Sequence, residues 1–313
     1  MLPRVDVIVN RRARHLGEDA GARASLVRAA EGRARIHETR SLADLEAVVR
    51  SLAGQGTDAV ILAGGDGSYM AGTTALFRVF GAAMPRIGFA PGGTVGTVAR
   101  NWGMRGSRAA YAAHLLRAVA AEEARLTRRP TLRVEDETGG DRVGFIFGAG
   151  LVANFFDAYY TSGWLGYGGA ATLVARIFAG SFYGGKLASR VLTPTPGVLV
   201  VDGDEILPRA FSLVAASVVR NLGLHMIVLH RAAERSDRFH LVASPLPARR
   251  LGPQLPRVLL GKRLTGADHV DVLAREVEFS FPGGASSYVL DGDVFKASRV
   301  RISAGPVLDY LST

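Results

Sequence analysis

The sequence predicts an α/β domain built on a parallel sheet, followed by a mainly antiparallel β domain. Three observations carry this reading. Strand and helix patterns alternate from Val5 to about Ala121. Two segments in that region, 58–63 and 86–90, are apolar on both faces, as strands in a sheet covered by helices should be, and each runs into a glycine-rich loop. After Arg125 the pattern changes to short alternating segments punctuated by turns.

The elements follow in order. Residues 5–9 form a first strand ending at Asn10. Ser41 is a helix N-cap with Asp44 three residues on, and Gly54 and Gly56 close that helix. The strand 58–63 leads through 64–68 into a helix over 69–80, and the strand 86–90 leads through 91–96 into another. Beyond 125, residues 131–136 and 142–147 flank a turn at 138–141 and read as a hairpin, as does 198–207. The chain then stays strand-rich to about Ser287, with a helix expected over 255–264.

Chemistry concentrates at the two glycine loops. In Gly64-Gly65-Asp66-Gly67-Ser68 the missing side chains let backbone amides approach a phosphate, and the helix that follows, starting Tyr69-Met70, adds partial positive charge. A carboxylate there would repel a bare anion. Asp66 therefore suits a loop in which Mg²⁺ lies between carboxylate and phosphate, or one in which Asp66 takes a proton from an attacking hydroxyl. The plain alternative is a turn of Gly and Asp after a strand. The second loop, Pro91-Gly92-Gly93-Thr94-Val95-Gly96-Thr97, offers the Thr94 hydroxyl, with Arg100 further along its helix. Two such units in succession place both loops at the carboxyl edge of a parallel sheet, where ligands bind in open α/β folds.

Three other features admit two readings. Asp-Gly-Asp occurs at 202–204, where a hairpin turn explains it, and again at 291–293, where it is either a second turn or a pair of functional carboxylates, Asp291 and Asp293. The glycine-rich apolar tract 164–187 reads equally as an interface-seeking flap or as a core helix with irregular ends. His37, His225, His230 and His240 lack ligand spacing, so no zinc site is expected.

Composition narrows the class. The hydrophobic share is 48% and the charged share 21%, ordinary for a folded globular protein. With no Cys, a disulfide framework and thiolate chemistry are excluded. No signal pattern and no apolar run of about 18 residues is visible, which points to a cytoplasmic protein. The net charge of +10 needs a partner or an Arg-rich surface. Aromatic residues make up only 8% and do not interleave with the basic ones, which argues against nucleic acid. An anionic bilayer suits the charge, at roughly 1 kcal/mol per basic residue near the surface.

The pair GGDGS (64–68) and PGGTVGTVAR (91–100) resembles the diacylglycerol kinase catalytic domain family, which includes sphingosine, ceramide and bacterial lipid kinases. The segments 5–14, 143–151 and 288–293 resemble further family motifs in order, so the resemblance spans nearly the whole chain. It implies an N-terminal three-layer domain like that of NAD kinases and phosphofructokinases, a C-terminal antiparallel β-sandwich, and a return of the last residues to the first domain. The expected boundaries are 1–124 with 297–313, and 125–296. It implies ATP held by Asn10, Arg11, Arg12, Ala13, Arg14, Thr39, Gly64, Gly65, Gly67, Ser68, Tyr69, Met70, Gly93, Thr94 and Arg100. Catalysis falls to Asp66, Asp291 and Asp293, with the base among them left open. Mg²⁺ is expected at Asp66 through phosphate; in the family's metal-binding turn Asp237 is the one carboxylate retained, with Arg238 beside it, a poor cage for a hard cation. The chain departs from the family at Gly96 and Thr97, where Asn-Asp is usual, and at Asp293, where Glu is usual. The implied activity is γ-phosphate transfer to a lipid hydroxyl by a peripherally membrane-associated enzyme, with a homodimer left open. The rivals are a kinase of a soluble acceptor and a binding protein that has lost turnover.

Overall fold

The structure is a computed structural model that describes residues 3–13, 16–17, 19–93, 95–163 and 166–313. The expectations for Arg14, Thr94, Trp164 and Leu165 lie outside the described residues. The chain divides into two compact units: Met1–Arg129 with Pro306–Thr313, and Pro130–Gly305. The division therefore falls after Arg129 rather than Ala124, and the return begins at Pro306 rather than 297.

The first unit holds β1 (Val5–Asn10), α1 (Ala20–Ala30), β2 (Arg35–Thr39), α2 (Leu42–Gln55), β3 (Ala59–Gly64), α3 (Asp66–Phe80), β4 (Arg86–Pro91), α4 (Thr97–Asn101), α5 (Arg108–Ala120), β5 (Arg125–Arg129) and a C-terminal strand, Leu308–Ser312. The six-stranded sheet has the order β2-β1-β3-β4-C-terminal strand-β5. Its neighbours are parallel apart from β5, which runs antiparallel to the C-terminal strand. That pairing draws β5 and the chain end into this unit. Helices α1 and α5 pack on each other, as do α2 and α3. Ser41 caps α2 by accepting the Asp44 amide, as the sequence predicts. The core is an aromatic stack. Tyr69 lies 4.2 Å from Phe89, and Trp102 and Tyr310 meet edge-on at 4.9 Å. Each such ring contributes about 1.5–3 kcal/mol by burial.

The second unit is a pair of antiparallel sheets with a helical layer. Its strands are β6 (Leu132–Asp136), β7 (Asp141–Gly144), β8 (Ile146–Gly150), β9 (Thr195–Pro196), β10 (Val198–Val201), β11 (Asp204–Ile206), β12 (Ala210–Phe211), β13 (Leu213–Ser217), β14 (Phe239–Ser244), β15 (Val270–Ala274), β16 (Glu276–Ser280), β17 (Ser286–Leu290), β18 (Asp293–Ala297) and β19 (Arg299–Ala304). One sheet runs β11-β10-β16-β19-β6-β7 and the other β15-β14-β13-β8-β17-β18, with β9 and β12 paired apart. Both predicted hairpins are present, as β6–β7 and β10–β11.

The chain crosses between the two sheets through single residues: Phe145, Arg275 and Ser298. Such a switch interrupts the ladder and leaves amides without strand partners. A carboxylate from a hairpin turn takes them at each corner. Asp291 accepts from Phe145 at 3.0 Å and Ile146 at 3.0 Å. Asp202 accepts from Arg275 at 2.8 Å and Glu276 at 2.9 Å. Glu137 accepts from Ser298 and Arg299.

The helices are α6 (Leu151–Ser162), α7 (Tyr167–Tyr183), α8 (Lys186–Leu192), α9 (Ala248–Leu251) and α10 (Leu255–Leu259). The described part of the glycine-rich tract is helical. Gly166 and Gly184, both at positive φ, cap the ends of α7. Leu173 and Ile177 join an apolar core with Val191, Leu213, Leu229 and Val242. The helix expected over 255–264 stops at Leu259, and Gly261 follows at φ +63°. Among the described residues no helix is long and apolar enough to cross a membrane.

Candidate active site

Strand register brings the first unit's expected residues to one sheet edge. Asn10 lies opposite Thr39, Val9 opposite Ala63, and Gly64 opposite Pro91. Four strand ends and both glycine loops therefore meet where the chain leaves the parallel sheet.

The loops pack backbone against backbone. The amides of Gly92 and Gly93 both donate to the Gly64 carbonyl, at 2.7 and 3.1 Å. A Cβ on Gly93 would come 2.5 Å from Gly65 Cα, a distance no side chain tolerates. The glycines are thus needed for loop–loop contact as well as for approach to an anion. Asn10 Nδ2 donates to Ser68 Oγ at 2.8 Å, and Asn10 Oδ1 accepts the Arg12 amide at 2.9 Å, which fixes the first loop to the end of β1. The first turn of α3 leaves its leading amides without helical partners, pointing off this edge.

Asp66 does something the sequence did not reveal. Its two oxygens accept the amides of Thr97 at 2.8 Å and Val98 at 2.9 Å, tying the first loop to the start of α4. Burial raises its carboxyl above the ordinary value, and the two amides pull against that rise. Gly96 has φ +64°. Glycine and asparagine both accept that left-handed conformation, so Gly96 preserves the backbone of a position the resemblance fills with Asn.

Several expected contacts are corrected. Tyr69 is fully buried in the aromatic stack and Met70 is buried too, so any role for them in a nucleotide site is through backbone alone. The Thr39 hydroxyl donates to the Val9 carbonyl. Arg11 is paired with Glu38 at 2.6 Å, whereas Arg12 and Arg100 are exposed. Ala13 is buried and turns the chain after β1, its amide donating to the Asn10 carbonyl.

In the second unit the three late carboxylates separate cleanly. Asp291 is buried and committed to the Phe145 corner. Asp237 is held by Arg235 at 2.8 Å and Arg275 at 3.4 Å, and the Arg235 hydrogen bond draws its carboxyl down to about 2. Asp293, at the start of β18, has no hydrogen bond or ion pair among the described residues. Although much of the residue is exposed, burial of its carboxyl raises it above the ordinary value. Neither Asp66 nor Asp237 offers a magnesium ion a free carboxylate edge, since both oxygens of each already accept hydrogen bonds.

Residues 4–128 match the model of the diacylglycerol kinase catalytic domain. That stretch, which makes up most of the N-terminal unit, is similar to the diacylglycerol kinase catalytic domain. No curated protein matches the chain. Among solved structures, a Bacillus anthracis str. Sterne protein provisionally assigned as a diacylglycerol kinase is 18% identical with a TM-score of 0.71, over 99% of this chain and 97% of that one. Another structure of a diacylglycerol kinase from the same organism is 17% identical with a TM-score of 0.64, over 99% and 97%. An NAD kinase from Archaeoglobus fulgidus, in complex with ATP, is 13% identical with a TM-score of 0.50, over 97% and 93%. These likenesses show a common fold: an α/β domain followed by an antiparallel β-rich domain.

Proposed function

We propose that this protein is an ATP-dependent kinase that phosphorylates the hydroxyl of a membrane lipid. The carrying observation is the assembly of two glycine loops and the α3 N-terminus on one sheet edge, in a domain similar to the diacylglycerol kinase catalytic domain. In this reading the backbone of Gly64–Ser68 and Gly93, with Asn10 and Ser68, holds the nucleotide phosphates. Asp66 acts as a positioning residue that keeps the second loop on the first. Asp293 is the base, as the late carboxylate left without a partner. It accepts the proton of the lipid hydroxyl as that oxygen bonds to the γ-phosphorus, while the bond from the γ-phosphorus to the bridging oxygen breaks and ADP leaves. A carboxyl raised by its surroundings is a stronger base than an ordinary one.

The lipid acceptor is supported by a surface of the second unit. Phe182 and Tyr183, at the end of α7, are 58% and 72% exposed. The Arg249 guanidinium lies against Gly184, and exposed Lys186 follows. Aromatic rings beside basic groups suit the headgroup level of an anionic bilayer. The enzyme would then be peripheral. Incubation with ATP labelled at the γ-phosphate tests the reading, using ceramide, sphingosine and diacylglycerol in mixed micelles and NAD as a soluble acceptor. Label in one lipid supports it. Label in NAD alone would transfer the enzyme to the soluble-acceptor class, and no label with nucleotide bound would make it a binding protein.

A further inference from the structure

The loop after β13 and the paired strands β14 and β15 assemble three side chains that no spacing in the chain would join. One ligand atom each from His230, His240 and Asp271 lies within 4.8 Å of the other two. His240 is fully buried, and the Asp271 side chain is 9% exposed. His240 Nε2 is 3.0 Å from Asp271 Oδ1, and the two imidazole rings meet edge to face at 5.0 Å. His230 Nδ1 is buried without a hydrogen-bond partner. A native fold rarely leaves such a nitrogen idle unless something occupies it.

We propose that His230, His240 and Asp271 bind one divalent transition metal of the zinc class. Two imidazoles and a carboxylate are a donor set that zinc takes, with three protein ligands leaving a fourth position for water. Zinc–ligand bonds of roughly 2.0–2.1 Å in tetrahedral array put neighbouring ligand atoms a little over 3 Å apart. The His240–Asp271 pair already has that separation, and His230 needs only to close inward.

The outer contacts suit the same assignment. Arg263 Nε holds Asp271 Oδ2 at 3.1 Å, leaving Oδ1 for the ion. The Arg231 amide lies 3.2 Å from His240 Nδ1 and gives way when Nε2 coordinates and Nδ1 carries the ring proton. Outer-shell partners like Arg263 orient metal-bound side chains. The site is separate from the eroded turn at Asp237, whose carboxylate two arginines occupy. Its role is a staple: it ties the loop that follows β13 to the β14–β15 edge, independent of phosphoryl transfer. Spacing along the chain gives no sign of this group, because its side chains come from a loop and two strands.

Cobalt(II) titration of the chelator-treated full-length protein tests the assignment. The expected result is visible absorption of four-coordinate cobalt, saturating at one equivalent and displaced by zinc, with zinc raising the melting temperature. In His230→Ala, a half-buried position, affinity falls about tenfold or more while circular dichroism is unchanged. In Asp271→Asn it falls likewise, and exposed His225→Ala binds as the parent does. No cobalt spectrum and no thermal shift at millimolar metal would overturn the proposal, as would His230→Ala binding undiminished.

Discussion

Asp202 and Asp291 make the same pair of bonds at two corners of the β-sandwich unit. Each opens an Asp-Gly-Asp hairpin turn at positive φ, +50° and +51°, and each accepts two successive amides where a neighbouring strand changes sheet. The repeated tripeptide is a structural device used twice, and its second copy leaves only Asp293 free for chemistry. Asp291→Asn should therefore destabilise by about 1–3 kcal/mol, since it leaves a buried amide facing a donor, and Asp202→Asn, at an exposed corner, should destabilise by less. Denaturant unfolding of the two variants checks this. A larger loss at Asp202 than at Asp291 would contradict it.

Asp66→Asn should lower stability by a similar 1–3 kcal/mol, because the amides of Thr97 and Val98 lose their shared acceptor. The second loop then shifts, and KM for ATP rises along with any fall in kcat. Thermal melts and ATP titrations read both effects. A variant with an unchanged melting temperature and abolished turnover would make Asp66 a catalytic group instead of a clamp.

The β6–β7 turn carries an acid-sensitive joint. The Asp136 side chain is 1% exposed and accepts from Arg142 at 2.8 Å and Tyr288 at 2.6 Å, as well as from the amides of Thr138 and Gly140. Burial pushes its carboxyl up, but the bonds from Thr138, Tyr288, Arg142 and Gly140 outweigh that and hold it well below the ordinary value. A depressed carboxyl stabilises the fold above the unfolded value near pH ~3.9 and loses that contribution as pH falls through the native one. Asp136→Asn should cost about 3 kcal/mol at pH 7, and the gap to the parent should close below about pH 4. A gap constant from neutrality down to pH 2.5 would rule the assignment out.

Binding to anionic vesicles should depend on the end of α7. Replacing Phe182 and Tyr183 by Ala, or Lys186 and Arg249 by Glu, should reduce co-sedimentation with phosphatidylserine vesicles, and the second pair should also flatten its salt dependence. These side chains are exposed, so melting temperatures should hold. Unaltered co-sedimentation in both variants would remove this face from the lipid reading.

Much of this was legible in the sequence because it rests on local rules. A two-faced apolar run followed by glycines reads as a covered strand entering a close-approach loop, and β3 and β4 are such runs. The two hairpins were legible from alternation around turn residues. What escaped depends on contacts across long separations. Asp66 looked like a free carboxylate because its donors, the Thr97 and Val98 amides, lie at the end of the next loop, and Tyr69 looked like a site residue because it follows the loop, whereas its ring belongs to a stack completed by Tyr310 at the far end of the chain. The helix α7 was ambiguous because its glycines read as flexibility until Gly166 and Gly184 were seen to be caps. The ligand group at His230, His240 and Asp271 has no spacing to read, since β14–β15 pairing creates it.

The most direct test is γ-phosphate transfer to the responsive lipid by the parent enzyme, Asp293→Asn and Asp291→Asn, each with its melting temperature. The account predicts that Asp293→Asn loses about a hundredfold or more in kcat, as for a missing general base, while melting with the parent. Asp291→Asn should melt lower yet retain more turnover. Full activity in Asp293→Asn, or no transfer to any lipid by the parent, would contradict it.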